Sequence, residues 1–278
     1  MMKKTALFKR WFGLYLPVIL IVLFAVGPYI WTFISSITPE NDLYTEKFHY
    51  FPANPTTENY KRLFTKLNFQ ANMGDSLIIA LSTAIIGLML TVPASYSFSR
   101  FVFKGSKTLL MQFLIINMFP IMLLIVPLFI IMKVLHLMDT YFALIIAYST
   151  FTIPFSVWML TSFFNAIPTD LDKAAQIDGC SRTGAMIRVV LPIAMPGVLS
   201  TGIYIFITAW NEFLYAAILT NSNVRTIPVA LQNMIGEFQI EWGLLTAGGV
   251  LSALPVIILF FFIQQQLISG MTAGSVKG

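Results

Sequence analysis

The sequence has 278 residues, of which 57% are hydrophobic and only 10% are charged, and its formal net charge is +5. A soluble domain typically has about 25% charged residues, so this composition excludes an ordinary soluble protein and indicates a protein that lies in lipid. The positive charge does not indicate a nucleic-acid partner, because the basic residues cluster at the ends of apolar runs, where membrane orientation requires them.

Six apolar runs are long enough to cross a bilayer as helices. The first follows a basic N-terminus and is too long for a secretory leader, so we interpret it as an uncleaved span. Prolines interrupt the runs, and the bundle must therefore be compact or shared with a partner that satisfies the freed backbone groups. The predicted spans are 11–37, 75–100, 108–132, 141–164, 193–220 and 243–268. The predicted fold class is an all-α polytopic membrane protein.

The distribution of lysine and arginine predicts the orientation of these spans. With both chain ends in the cytoplasm, 11 of the 17 basic residues lie on the inner side. The opposite orientation would place those 11 outside, against the positive-inside rule. Residues 1–72 then form the first span with an extracellular loop, 73–268 a core of five spans, and 269–278 a cytoplasmic tail.

The chain shows no cofactor site of its own. Gly-Ser-Lys-Thr at 105–108 superficially resembles a phosphate-binding loop, but that motif requires glycines where this chain has Ser106 and Phe101. His136 and Asp139 lie in a predicted outer turn, and a metal site would need further ligands at suitable spacing. We therefore predict that the chain binds neither nucleotide nor metal.

A polar, helix-forming segment, Thr169–Pro196, separates the fourth and fifth spans. Thr169 is a good N-cap, and Asp172 three positions later would complete a capping box. Leu171, Ala174 and Ala175 would form a narrow apolar stripe on this first helix.

Gly179 is the natural end of that helix, because glycine adopts the left-handed conformation without steric cost. Ser181 can start a second helix, which Pro192 would stop. A membrane protein with this much helical signal in a water-facing connection is expected to use it to contact a partner. The alternative is an amphipathic linker on the bilayer surface.

The segment resembles the EAA loop of permease subunits of ATP-driven (ABC-type) importers. The resemblance lies in Ala174 and Ala175, the Asp178-Gly179 pair, and Leu191-Pro192 followed by Pro196. It implies that residues 165–192 dock into an ATPase subunit. The implied coupling residues are Asp172, Lys173, Ala174, Ala175, Asp178 and Gly179. One position departs from the family, because Lys173 stands where glutamate is usual, so an ion pair made there would be lost or reversed in sign.

The predicted fifth span contains Trp210-Asn211-Glu212-Phe213, which places a carboxylate at membrane depth. An ionised carboxylate that faces lipid costs several kcal/mol, so Glu212 should face a polar cavity or a partner. Trp210, Asn211 and Glu212 are candidate pathway-lining residues; alternatively, Glu212 is a structural carboxylate that holds two helices together. The four residues resemble a motif common in this span of carbohydrate importer permeases.

Two further segments gain an interpretation from this resemblance. The predicted outer loop 221–242 would contact an extracellular solute-binding protein. Its candidate contact residues are Gln232, Asn233, Gly236, Glu237 and Phe238. The tail 269–278 resembles that of the smaller permease subunit of maltose-type importers, which reaches between two ATPase subunits; the alternative is a frayed terminus.

Taken together, the resemblance implies a type I importer (MetI-like) bundle in the bacterial or archaeal inner membrane. It implies a carbohydrate substrate, a second homologous permease, two ATPase subunits that use ATP and magnesium, and the solute-binding protein. An ion-coupled secondary transporter is the alternative, but it normally needs several intramembrane charges, and this chain offers essentially Glu212. An intramembrane enzyme would need an acid–base or nucleophile pair at matching depth, and none is visible.

Overall fold

The computed structural model describes residues 11–45, 50–236 and 240–273, with side chains described as far as residue 264. In chain order the helices are α1 Leu16–Ser36, α2 Glu58–Leu67, α3 Phe69–Arg100, α4 Ser106–Met118, α5 Ile125–Val134, α6 Tyr141–Asn165, α7 Asp170–Ile177, α8 Arg182–Ile193, α9 Met195–Trp210, α10 Leu214–Leu219, α11 Ile227–Gln232 and α12 Trp242–Ala273. Within these ranges no strand forms, which confirms the all-α class.

Four of the described helical segments are long and apolar enough to cross a membrane: Trp11–Ser36, Phe69–Arg100, Tyr141–Asn165 and Trp242–Gln264. Two sharply bent pairs, Ser106–Met118 with Ile121–Val134 and Arg182–Ile193 with Met195–Trp210, raise the number to six if each pair is one span. Four of the six predicted spans are therefore present as long apolar helices, whereas the bent pairs overlap the other two predictions, 108–132 and 193–220.

The third predicted span, 108–132, bends by 95° between Met118 and Ile121. Pro120 causes the break, because the ring of a proline disfavours the helical conformation of the residue before it. Phe119 accordingly has an extended backbone, with φ −73° and ψ 134°.

The fifth predicted span, 193–220, is also interrupted. A bend of 81° at Ala194 separates α8 from α9, and Pro196 lies in the first turn of α9, where its missing N–H costs nothing. Pro192 does not stop α8, which continues to Ile193 through a π-helical turn over Met186–Val190. A second break follows Trp210, before α10.

The chain divides into two compact units, Met1–Gln70 with Leu231–Pro255 and Ala71–Ala230 with Val256–Gly278. In the first unit, the buried Asn59 side chain donates to the carbonyls of Ser36 and Thr38, both at 2.9 Å. Glu40 Oε2 accepts from the backbone N–H of Gly243 at 2.8 Å. These bonds join the end of α1 to α2 and to the start of α12.

In the second unit, glycines allow α9 to pack closely against α3 and α6. A Cβ at Gly197 would lie 2.5 Å from Phe163 Cγ, and one at Gly202 would lie 3.0 Å from Leu88 Cδ1. Gly87 on α3 leaves the same kind of space for Ile205. Small residues at such contacts are the usual basis of helix association in membranes.

The alanine variant of Gly197 tests this packing. We expect Gly197→Ala to lower the free energy of unfolding by about 1–3 kcal/mol, because Phe163 must shift to admit the methyl group. Gly74→Ala is the matched control on α3: no atom lies within 4 Å of the new Cβ, so the better helix former should be neutral or stabilising by about 0.5–1 kcal/mol. Thermal unfolding of the detergent-solubilised protein measures both, and equal midpoints would contradict the close contact.

Candidate functional site

A buried ion pair attaches the polar segment to the helices of the second unit. Arg100 Nε lies 2.9 Å from Asp172 Oδ2, and the two side chains are only 7% and 8% exposed. The hydroxyl of Tyr96 donates to Asp172 Oδ1 at 2.6 Å. Both carboxylate oxygens therefore have a donor, as a buried charge requires. We call Tyr96, Arg100 and Asp172 the clamp.

Arg100 uses the rest of its guanidinium group at the end of α6. Its Nη1 donates to the carbonyl of Phe164 at 3.1 Å, and its Nη2 donates to the carbonyl of Ile167 at 3.0 Å. The last carbonyls of a helix lack partners within the helix, and a cation there also complements the helix dipole. One arginine thus joins the ends of α3 and α6 to α7.

An apolar cluster lies beside the clamp and includes residues of α8 and of the start of α9. Its buried members are Tyr96, Leu160, Phe164, Ile167, Met186, Val190, Ala194 and Val198. The polar segment is therefore held both by charge and by packing.

The role predicted for Asp172 as part of a capping box is wrong. Thr169 has a helical backbone conformation, and its side chain makes no capping hydrogen bond. Asp172 turns inward to Tyr96 and Arg100 instead, because these partners saturate its carboxylate more fully than one backbone N–H could.

The predicted end of α7 and start of α8 are confirmed. Gly179 has a φ of +88°, and Cys180 N–H donates to the carbonyl of Ala175 while Gly179 N–H donates to that of Gln176. This pattern is the Schellman motif, in which a glycine closes a helix. Ser181 Oγ accepts from Gly184 N–H at 3.1 Å and caps α8.

The face of α7 opposite Asp172 is open to solvent. Ala174 and Ile177 lie on this face, and Ile177 is 85% exposed. Ala175 is buried on the same side of the helix as Asp172. The predicted apolar stripe of Leu171, Ala174 and Ala175 is therefore split between two faces.

Two charged residues complete this open face. Lys173 Nζ lies 2.8 Å from Asp170 Oδ1, and both side chains are exposed. The lysine lowers the pKa of the Asp170 carboxyl through this hydrogen bond. Asp178 and Gly179, at the end of the helix, are also exposed. We call Asp170, Lys173, Ala174 and Ile177 the open face of α7.

Glu212 lies at the break between α9 and α10 rather than inside a continuous helix. Its Oε1 accepts from Tyr215 N–H at 2.9 Å and its Oε2 from Ala216 N–H at 3.2 Å. The carboxylate thus satisfies two of the N–H groups that the start of a helix leaves without partners. Of the two interpretations of Glu212, this geometry favours the structural one, because the carboxylate caps the start of α10.

The neighbouring candidates for the pathway lie in different surroundings. Trp210 is 4% exposed and stacks on Phe206, with ring centroids 5.6 Å apart. Asn211 is exposed, and its amide donates to the carbonyl of Ile207. Among the three, Asn211 has the most accessible side chain, and a lining role for it stays a prediction.

The candidate contact residues of the predicted outer loop are only partly described. Gln232, Asn233 and Gly236 are exposed. Glu237 and Phe238 lie outside the described residues, as does the end of the predicted tail, 274–278.

Sequence reasoning missed Tyr96 and Arg100 as parts of this site. The one sequence signal for Arg100 is that it is a basic residue at the end of the predicted span 75–100. In the described part of the chain, no group of three or more histidine, cysteine, aspartate or glutamate side chains could hold a metal ion.

Comparison with known proteins places this architecture among transport proteins. Residues 84–273 match the family model described as "Binding-protein-dependent transport system inner membrane component". The chain is 38% identical over 252 residues to the sulfoquinovosyl glycerol transport system permease protein SmoH of Agrobacterium fabrum, covering 90% of this chain and 88% of that relative. It is 36% identical over 262 residues to the trehalose transport system permease protein SugB of Mycobacterium tuberculosis, covering 93% and 95%.

A further relative and a solved structure agree with these matches. The trehalose/maltose transport system permease protein MalG of Thermococcus litoralis is 35% identical over 266 residues, covering 94% of each chain. A chain of a bacterial ABC transporter involved in the import of the acidic polysaccharide alginate superposes with a TM-score of 0.76 at 22% identity, covering 92% of this chain and 96% of that one. At that identity, the superposition shows a shared fold.

Proposed function

Because the chain belongs to the family of binding-protein-dependent transport system inner membrane components, we propose that it is a permease subunit of an ATP-driven importer that forms the translocation pathway for a sugar or oligosaccharide. The observation that carries this proposal is the family match over residues 84–273, supported by relatives that align along nearly their whole length. The sugar class rests on the names of those relatives, which transport trehalose, maltose or a sulfoquinovosyl glycerol.

The energy for transport comes from partner proteins in this proposal. The sequence carries no nucleotide-binding motif, so two ATPase subunits would bind and hydrolyse ATP with magnesium. A second homologous permease would complete the pathway, and an extracellular solute-binding protein would deliver the sugar. The chain would be a multi-pass protein of the bacterial or archaeal inner membrane with both termini in the cytoplasm, as the distribution of its basic residues indicates.

The polar segment would couple ATP hydrolysis by the ATPase subunits to sugar transport through the permease. The open face of α7 supplies an accessible apolar surface at Ala174 and Ile177, which fits a docking contact. The clamp on the opposite side of the helix would transmit a displacement of α7 to α3 and α6, because a fully paired buried charge resists separation. Lys173 is engaged with Asp170 on the exposed surface and so would meet the ATPase as part of a local ion pair.

Transport by the complete reconstituted importer tests this function. In proteoliposomes with ATP inside and the binding protein outside, we expect sugar uptake that depends on ATP hydrolysis. Ionophores that collapse proton and sodium gradients should leave the uptake unchanged. Uptake that survives without ATP and disappears with the ionophores would overturn the proposal in favour of an ion-coupled transporter.

Glu212→Gln separates a capping role from a relay role for this carboxylate. The glutamine keeps one acceptor oxygen for the start of α10, so we expect a loss of about 1 kcal/mol in the free energy of unfolding and nearly normal uptake. An ion-coupled mechanism that used Glu212 would lose transport altogether, because an amide cannot exchange a proton. Uptake and thermal unfolding of the same preparation, compared with wild type, distinguish the two outcomes.

A further inference from the structure

The short connection between α3 and α4 is anchored at two phenylalanine rings. Phe101 meets Tyr96 of the clamp edge-on, with ring centroids 6.3 Å apart, and the guanidinium carbon of Arg182 lies 5.5 Å from the centroid of the same Phe101 ring. Phe103 packs against Phe98, with ring centroids 5.6 Å apart. Aromatic pairs and a cation above a ring are both favourable contacts, so the connection is held in one conformation at both phenylalanines.

Val102, between the two anchored rings, projects away from the protein. Its side chain is 104% exposed, and because both neighbouring residues are anchored, a local rotation of the backbone cannot cover it. Exposed apolar side chains recur on the first turns of α4, at Leu109 and Met111. A single exposed apolar residue needs no explanation, whereas a group of them indicates a surface that contacts an apolar partner. Because the connection is already ordered, such a partner binds it with little further loss of entropy.

The same stretch is basic. Residues 101–107, which we call the α3–α4 loop, contain Lys104 and Lys107 and no acidic residue. Both lysines are exposed, and neither forms an ion pair with any residue that the structure describes. The distribution of basic residues predicts that the loop lies on the cytoplasmic side. Anionic headgroups on that side attract lysines that lie close to the membrane surface, so the charge of the loop is complementary to the leaflet.

The length of α3 brings the loop to the membrane surface. Asp75 lies 25 positions before Arg100, about 38 Å along the helix at 1.5 Å per residue. This distance exceeds the hydrocarbon core of about 30 Å but not the full bilayer thickness of about 40–45 Å, which places both charged residues among the headgroups. Val102 follows Arg100 by two residues, which span at most about 7 Å. The exposed valine is therefore within reach of lipid.

We propose that the α3–α4 loop docks on the cytoplasmic leaflet, with Val102 inserted between lipids and with Lys104 and Lys107 on the phosphate groups of anionic phospholipids. Two observations favour lipid over a protein partner. The loop directly follows a helix that is long and apolar enough to cross the membrane, and the exposed apolar side chains continue onto α4, which forms a further candidate span together with α5. The inference goes beyond the proposed function, because lipid binding requires neither the sugar nor the ATPase subunits.

Lipid bound at the loop also stabilises its surroundings. Phe101 contacts Tyr96 of the clamp and Arg182, the first residue of α8. A ligand that binds the folded chain and not the unfolded chain raises the unfolding midpoint. We therefore expect an anionic phospholipid to raise the midpoint of this protein, and the size of that rise reports on occupancy of the loop.

A spin label at position 102 tests the insertion of the valine. The sequence has one cysteine, so Val102→Cys in a Cys180→Ser background carries a single label. In liposomes of phosphatidylcholine and phosphatidylglycerol, we expect this label to lose its collisions with a water-soluble nickel complex and to keep those with oxygen, which concentrates in lipid. Ile177→Cys in the same background is the matched control, because Ile177 is an exposed apolar residue of the polar segment. Its label should collide with nickel as often as the free label does in buffer.

The double variant Lys104→Gln with Lys107→Gln tests the headgroup contact. Titration of the detergent-solubilised chain with phosphatidylglycerol gives the lipid concentration at half the rise in unfolding midpoint. We expect that concentration to be at least about tenfold higher for the double variant, since each lysine near an anionic surface strengthens binding about fivefold. Lys173→Gln is the matched control, because Lys173 is also exposed but pairs with Asp170, and its titration should match wild type. Without lipid, all three proteins should unfold at the same midpoint, because these lysines are exposed.

The outcomes distinguish lipid from other partners. A label at position 102 that collides with nickel as often as the free label overturns the insertion, and equal titrations of the double variant and wild type overturn the headgroup contact. Protection of the label that appears only when the ATPase subunits are added would assign the loop to a protein partner and overturn the proposal. None of these measurements depends on transport, so they report on the loop even if the proposed function fails.

Discussion

Arg100→Met is expected to destabilise the protein by about 3–5 kcal/mol, because it leaves the Asp172 carboxylate buried without its counter-ion. The same substitution removes the donors to the carbonyls of Phe164 and Ile167 at the end of α6. With the clamp broken, α7 would no longer move together with α3 and α6, so we also expect the loss of sugar uptake by the reconstituted importer. Thermal unfolding of the detergent-solubilised protein and uptake into proteoliposomes measure the two effects.

A double variant shows whether Arg100→Met destabilises the protein because it leaves a buried charge unpaired or because it disturbs packing in general. Arg100→Met combined with Asp172→Leu removes both charges, and buried ion pairs replaced by apolar side chains often lose little stability. We therefore expect the double variant to be more stable than Arg100→Met alone. Lys173→Met serves as the control for an exposed pair and should not shift the unfolding midpoint, because solvent screens the contact with Asp170. An Arg100→Met midpoint equal to that of Lys173→Met would contradict a stabilising clamp.

Ile177→Asp is expected to reduce uptake at least about tenfold while leaving the fold intact. Ile177 is 85% exposed on the open face of α7, so its replacement should change the free energy of unfolding by no more than about 0.5 kcal/mol. A carboxylate placed in an apolar docking contact must be desolvated without a partner, which weakens association strongly. Co-purification of the ATPase subunits with the permease, together with uptake, measures this effect.

Ile177→Leu is the matched control for this prediction, since it keeps the apolar area at the same position. It should retain both ATPase binding and uptake. If Ile177→Asp also assembles and transports normally, the open face of α7 is not the docking surface. A bulky substitution of Gly179 is a weaker test, because its φ of +88° would add backbone strain to any effect on docking.

Local sequence signals were sufficient to predict the apolar helical segments of this protein and the helix ends in its polar segment. Hydropathy located the apolar helical segments. A helix in lipid makes all its backbone hydrogen bonds within itself, and about 20 consecutive apolar residues are needed to cross the bilayer. Gly179 and Ser181 marked the end of α7 and the start of α8 correctly, because a left-handed glycine and a capping serine act on N–H and carbonyl groups only a few residues away.

Other features depended on partners that are distant in the sequence. The sequence predicts that Asp172 caps its own helix. Its carboxylate instead accepts hydrogen bonds from a tyrosine and an arginine that lie more than 70 residues earlier in the chain. Asp139 looked like an ordinary turn residue until the fold placed four backbone N–H groups around it.

The sequence by itself therefore determined which segments are helical and apolar and where the polar connection between α6 and α9 begins and ends. Only the tertiary structure decided what the charged residues do. A buried charge is paired by the hydrogen-bond donors that the packed helices bring within about 3 Å of it. The spacing of residues along the chain carries no information about those distances.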